Sequence, residues 1–127
     1  MRETKIKVIV VDDHVAFRNE LATLIGGFKE FTVLCQADNG NQLIEQLEAG
    51  ALPEIILLDI NMPGMNGYDT AFWLKTYYPQ IKVLALSMND NPKAISRMLE
   101  NGTRGFLLKD SEPGQLKTIL MALAQKD

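Results

Sequence analysis

Three carboxylates, one hydroxyl and one ammonium stand at the ends of short apolar runs in this chain. Asp12 and Asp13 follow the run that starts at Lys7, Asp59 ends the string Ile55-Ile56-Leu57-Leu58, Ser87 follows Lys82–Leu86, and Lys109 follows Gly105–Leu108. A charge at the mouth of a dry strand is costly unless something pairs with it. If the run ends meet, three clustered acids repel, and without a cation at least one tends to hold a proton. Oxygen-only ligands favour a hard cation, and Mg²⁺ commonly takes one or two carboxylates with waters and a phosphate oxygen. A lysine and a hydroxyl opposite such an ion suit the other oxygens of a phosphoryl group. Asp59 is then placed to attack phosphorus and form an aspartyl phosphate.

Taken singly, each residue has a plainer reading. Asp12-Asp13 serves as a helix N-cap, Asp59 opens a turn, Ser87 belongs to a turn, Lys109 is a surface lysine, and Phe106 packs as core. What favours a site is that all five polar positions fall at the carboxyl ends of runs. The elements that must gather them are legible in the alternation. Five runs rich in Val, Ile and Leu, at Lys7–Val11, Thr32–Ala37, Glu54–Leu58, Lys82–Leu86 and Gly105–Leu108, recur roughly every two dozen residues, as βαβ units require. Between them apolar residues follow helical spacing. The buried faces expected are Phe17, Leu21, Leu24, Ile25 and Phe28; Leu43, Ile44 and Leu47; Ala71, Leu74 and Tyr78; Ile95, Met98 and Leu99; and Leu116, Ile119, Leu120 and Leu123. Asn66 and Asn91-Pro92 read as helix starts, Ser111 as the cap of the last helix, and Gly50 and Asn101-Gly102 as stops. The fold class is therefore α/β, a (βα)₅ doubly wound parallel sheet with helices on both faces. The first and third runs are the purest and belong at the centre; the second, with Cys35 and Gln36, suits an edge. In such a sheet the carboxyl ends share one edge, where ligands bind at the topological switch point.

The 127 residues are enough for one domain with one core, and 46% hydrophobic content argues against disorder. A net charge of -3 with scattered basic residues gives no footprint for direct nucleic-acid binding or an anionic membrane surface. The opening stretch MRETKIKVIVVDD is too short in its apolar part for a signal peptide or membrane span, and the lone Cys35 fits a reducing cytoplasm. His14 is the only histidine, which argues against a zinc site or a histidine-based triad. No glycine-rich nucleotide fingerprint is present.

The segments VVDDH at 10–14, LLDINMPGMNG at 57–67, ALSM at 85–88 and GFLLKDSEPGQL at 105–116 resemble the response-regulator receiver domain of two-component signalling, over essentially the whole chain. The resemblance implies a flavodoxin-like strand order 2-1-3-4-5 and a phosphoryl group accepted by Asp59 from a histidine kinase. It implies Mg²⁺ held by Asp12, Asp13 and Asp59 with the backbone carbonyl of Asn61, Asp13 being nearer than Asp12. Ser87 and Lys109 would contact the phosphoryl oxygens, and Ser87 with Phe106 would form a switch pair. The surface changed would be the fourth helix, fifth strand and fifth helix, about Lys93 to Leu123, whose charges Lys93, Arg97, Glu100, Arg104 and Lys117 suit a reversible contact such as a homodimer. Asn61 and Asn89, two residues beyond Asp59 and Ser87, would tune a phosphorylated state lasting minutes or longer, with slow self-dephosphorylation as the only enzymatic act. The segment GTRGFLLKDSEPGQL resembles the subfamily with a LuxR-type helix-turn-helix output domain, so transcriptional regulation is implied through a DNA-binding domain absent from residues 1–127.

Other classes fit less well. A degenerate or stand-alone receiver acting only as an interaction module would not need the intact Asp12, Asp13, Asp59, Ser87 and Lys109 set. A Mg²⁺-dependent aspartyl phosphatase needs a second acid two residues after its nucleophile, and Asn61 stands there. A flavin carrier needs a hydroxyl-rich phosphate loop, and DDHVAF occupies that place. Two departures from the usual receiver pattern are visible. Lys109 precedes Asp110, not a proline, and a cis bond there would cost about 3 kcal/mol. Phe106 stands where tyrosine is frequent and cannot donate a hydroxyl hydrogen bond.

Overall fold

A computed structural model of the chain describes residues 4–60, 66–88 and 91–125. Within them five strands alternate with five helices: β1 (Ile6–Val11), α1 (Val15–Gly26), β2 (Phe31–Ala37), α2 (Gly40–Glu48), β3 (Ile55–Asp59), α3 (Gly67–Tyr77), β4 (Lys82–Ser87), α4 (Pro92–Glu100), β5 (Gly105–Leu108) and α5 (Pro113–Gln125). The strands pair in parallel in the order β2-β1-β3-β4-β5. The expected (βα)₅ architecture and edge position of β2 are therefore observed. The chain runs outward from β1 to β2 and then returns to the other side of β1 for β3, so the switch point lies between β1 and β3.

The two faces of the sheet follow from the period-two alternation of strand side chains. Val8, Val10, Ile55, Leu57, Leu84 and Leu86 pack with Leu21 and Ile25 of α1 and Leu116, Leu120 and Leu123 of α5. The intervening Ile9, Val11, Ile56, Leu58 and Val83 pack with Leu43 and Leu47 of α2 and Ala71 and Leu74 of α3. A smaller cluster of Ile60, Ala85 and Met98, with Ala94 and Phe106 against it, seats α4. Strands β1 and β3 are apolar on both sides because both sides are covered.

Helix ends obey their caps. Asn39, Asn66 and Asn91 accept hydrogen bonds from Gln42, Asp69 and Lys93 amides, and Pro92 opens α4. Gly50 and Gly102 follow α2 and α4 with φ of 109° and 93°, a left-handed turn that glycine enters without a Cβ penalty. Three expectations are corrected. Ser111 is not the cap of α5: the helix starts at Pro113, and the Gln115 side chain accepts from the Glu112 amide. Leu99 is 52% exposed, because α4 covers only the sheet edge and seats itself through Ala94 and Met98. Lys117 does not join the α4–β5–α5 charge set: its ammonium lies 3.7 Å from Glu30 Oε1, towards the α1–β2 side.

Aromatic residues are concentrated on α3. Trp73 packs against Tyr77 and Tyr78, with ring centroids 5.1 and 5.6 Å apart, and the Arg97 guanidinium of α4 lies 4.0 Å from the Tyr68 ring centroid. Phe72 and Tyr77 are mostly exposed.

Because the central strand has no solvent face, truncating it leaves a void that neighbours on both sides hold open. Leu57→Ala is expected to cost about 2–5 kcal/mol, read as a lower urea midpoint with an unchanged slope.

Candidate functional site

The acids sit where the central strands end. Val11 pairs with Leu58 in register, so Asp12 emerges beside Asp59, and Asp59 itself pairs with Leu86. Asp59 ends its apolar run, as read from the sequence, and is the last residue of β3. Carboxylate oxygens of Asp12, Asp13 and Asp59 all lie within 4.8 Å of one another. Asp12 and Asp59 are buried, and Asp13 is exposed at the mouth.

What pairs with them comes from β5. Lys109 Nζ lies 2.8 Å from Asp12 Oδ2 and 3.2 Å from Asp59 Oδ2. The lysine is aimed by its backbone, whose N–H donates to the Ser87 carbonyl at 2.8 Å, and by the Phe17 ring, 5.2 Å from the ammonium. Its side chain is only 11% exposed, so burial pulls its pKa down; the attached Asp12 and the field of Asp59 outweigh that and hold it above the ordinary lysine value. Three carboxylates against one ammonium leave two negative charges. At this separation each like-charged pair repels by on the order of 3 kcal/mol at an effective dielectric of about 20.

The donor set suits a hard dication. It is all carboxylate oxygen, one acid is open to solvent, and buried Asp12 Oδ2 has the ammonium as an ion partner but accepts no hydrogen bond of good geometry. Asp12 Oδ1 accepts from the His14 amide at 2.9 Å. Asp12 and Asp13 thus do not cap α1; His14 occupies the cap position, without a side-chain cap bond. An open cavity of about 470 Å³ beside the cluster is lined by His14, Phe17, Met88, Lys109 and Asp110.

Ser87 ends β4 and is 3% exposed. It lies two residues after Ala85 and so on the same sheet face, and Ala85 pairs in register with Phe106. Phe106 is half-buried and packs over the small Ala85 towards Met98. No cis peptide occurs among the described residues, so Lys109–Asp110 is trans. Asn61 and Asn89 lie outside the described residues.

Two contributors escaped the sequence reading. A Cβ on Gly67 would come 2.4 Å from Ile60 Cα and 2.5 Å from the Asp59 carbonyl oxygen, so α3 begins in contact with the backbone of the nucleophile candidate. The segment MNG shows the turn but not this approach. Arg18 donates to the Asp12 carbonyl at 2.9 Å. Its signal was its place on one helical stripe with buried Ala22 and Ile25.

A profile of the response regulator receiver domain matches residues 8–121. The chain belongs to this family. The receiver domain is similar to the transcriptional regulatory protein DegU of Brevibacillus brevis, 34% identical over 98% of this chain and 52% of that protein. It is similar to the nitrate/nitrite response regulator protein NarL of Escherichia coli K12, 37% identical over 86% of this chain and 50% of that protein. The chain spans about half the length of these curated relatives. Among solved structures, the signal receiver domain of NarL from Mycobacterium tuberculosis superposes with a TM-score of 0.87 at 34% identity, covering 96% of this chain and 98% of that one. The receiver domain is a two-component signalling module and not a conventional enzyme. Among the described residues no helix is long and apolar enough to cross a membrane.

The Lys109 pairing sets a pH dependence whose sign follows from its raised pKa. A raised ammonium contributes stability that is fully present below the unfolded value and is lost as pH rises through the folded one. Without added metal, the stability difference between wild type and Lys109→Met is expected to hold from neutral pH to about 10 and to shrink above it. Urea titrations across that range check it.

Proposed function

We propose that this receiver domain is a phosphorylation-controlled switch in which Asp59 takes a phosphoryl group from a histidine kinase. The observation that supports it most is one half-buried lysine reaching two carboxylates, Asp12 and Asp59, with a third acid open at the mouth. Asp59 Oδ attacks phosphorus, an O–P bond forms, and the bond from phosphorus to the kinase histidine breaks. Lys109, already 3.2 Å from Asp59, receives a phosphoryl oxygen as its ion partner. The Ser87 hydroxyl, at the end of the neighbouring strand, donates to another. Asp12, Asp13 and Asp59 would hold Mg²⁺, with the carbonyl of Asn61 as a further ligand, and the ion would supply neutralisation of charge on the transferring group.

Phosphorylation adds about -1.5 to -2 charge at Asp59. Drawing Ser87 in vacates space on the Ala85 face, and Phe106, packed over Ala85, turns into it. Without a hydroxyl its movement is driven by packing. The α4–β5–α5 surface then changes, offering a contact for a second copy or for an output domain of the LuxR type that regulates transcription. Asn61 and Asn89 set the lifetime of the acyl phosphate, and neither is a general base.

Incubation with phosphoramidate and Mg²⁺ is expected to add one phosphoryl mass that maps to Asp59 and is absent with EDTA or in Asp59→Asn. Undiminished labelling of Asp59→Asn would refute the assignment. Calorimetric Mg²⁺ titration is expected to show a larger loss for Asp13→Ala than for Asp12→Ala.

Beryllofluoride with Mg²⁺ is expected to shift amide resonances across Lys93–Leu123 as well as near Asp59. In Ser87→Ala the remote shifts should vanish while those at Asp59 persist; shifts confined to Asp59 in the wild type would overturn the switch.

A further inference from the structure

Arg18 lies outside the acid cluster, yet its guanidinium touches the backbone that carries it. Nη1 donates to the Asp12 carbonyl at 2.9 Å and also to the Asp38 carboxylate, while Nε donates to Gln36 Oε1 at 3.0 Å. Its side chain is 12% exposed. The acceptors are themselves held: Gln42 Nε2 donates to Asp38 Oδ2 at 3.1 Å, and Gln46 Nε2 donates to the Gln36 carbonyl at 2.8 Å. A planar fork satisfied on several sides has one orientation. Asp12 is thereby gripped at every polar atom. Its N–H donates to the Ala37 carbonyl at 3.1 Å, its carbonyl accepts from Arg18, Oδ1 accepts from the His14 amide, and Oδ2 faces Lys109.

We propose that Arg18 is a positioning residue for the acid cluster, fixing the turn after β1 so that Asp12 and Asp13 face the cation. The inference rests on the site reading above. Asp38 is the group that aims Arg18, and the guanidinium in turn holds the Asp38 carboxyl below its ordinary range, with Gln42 assisting. Through this pair the sheet edge at β2 and the start of α2 are coupled to the acids.

The sign of one measurement separates this role from simple electrostatics. A cation near three carboxylates disfavours Mg²⁺, so if Arg18 acted only through its charge, removing it would tighten Mg²⁺ binding. A positioning role predicts the opposite. In Arg18→Met, Mg²⁺ affinity measured by calorimetry is expected to fall about tenfold, the low end for partners that orient metal ligands. Arg18→Lys keeps the charge but lacks the fork, so it is expected to weaken binding by a smaller factor; if Arg18→Met does not fold, this variant decides alone. A metal-free readout accompanies both: hydrogen exchange at the His14 amide should accelerate as Asp12 loosens. Leu47→Ala, a core truncation under α2, is expected to lower stability with Mg²⁺ affinity and His14 exchange unchanged. Mg²⁺ binding in folded Arg18 variants equal to or tighter than wild type would overturn the proposal, as would Leu47→Ala reproducing the loss. A wild-type protein that takes no Mg²⁺, or an Asp13→Ala that binds as wild type does, would take down the site reading itself.

Discussion

The ion pairs of Lys109 with Asp12 and Asp59 are the constraint on which the rest depends. Two carboxylates buried at adjacent strand ends would be a large desolvation cost with nothing opposite them. The lysine offsets part of it, and the third acid stays in water. The result is a site that is satisfied but under-neutralised, with a net negative charge held open towards solvent. Such a site could hold a dication, with the lysine already in place opposite it. A neutral site would attract the ion less, and an unpaired one would be costlier to bury.

The architecture supplies this arrangement through separate means. Parallel strands bring residues from Asp12 to Lys109 to one edge although they are far apart in sequence. The bare Gly67 lets α3 start against the Asp59–Ile60 backbone. Arg18 and the Ala37 carbonyl tie down Asp12. The small Ala85 stands two residues before Ser87 on the α4 side of β4, with Phe106 packed against it. The polar contacts described for the site therefore hold the acids, whereas Phe106 and α4 meet β4 through apolar packing.

Much of this was legible in the sequence, for identifiable reasons. The strand strings are continuous and apolar because both sheet faces are covered, so the (βα)₅ alternation and the edge place of β2 could be read. Asn66, Asn91-Pro92 and Gly102 each act within a few residues of themselves, so local chemistry was enough. Where the reading failed, the deciding group lay outside the helix for Lys117 and Leu99 and within the helix start for Ser111. Lys117 reads as part of the α5 face until Glu30 is seen opposite it. Leu99 fits the helical period but not the width of sheet that α4 covers. Ser111 is a fair cap by type, yet Gln115 holds the Glu112 amide and starts the helix at Pro113. Arg18 and Gly67 matter through backbone atoms of other elements, which residue types do not reveal. The convergence of Asp12, Asp13, Asp59 and Lys109 needed only the rule that parallel strands end together.

The aromatic end of α3 has an optical consequence. The chain has one tryptophan, and it lies among Tyr77 and Tyr78, where α3 returns to the amino-terminal edge of the sheet. Trp73 is six residues past the start of α3, about 9 Å along its axis, and the acids cluster at the opposite edge. Intrinsic emission from this protein is therefore a reporter of how the rear of α3 packs, excited in part through its tyrosine neighbours. It is not a contact probe of the acid cluster. A change in that emission on loading the pocket would register a disturbance carried down the length of a helix.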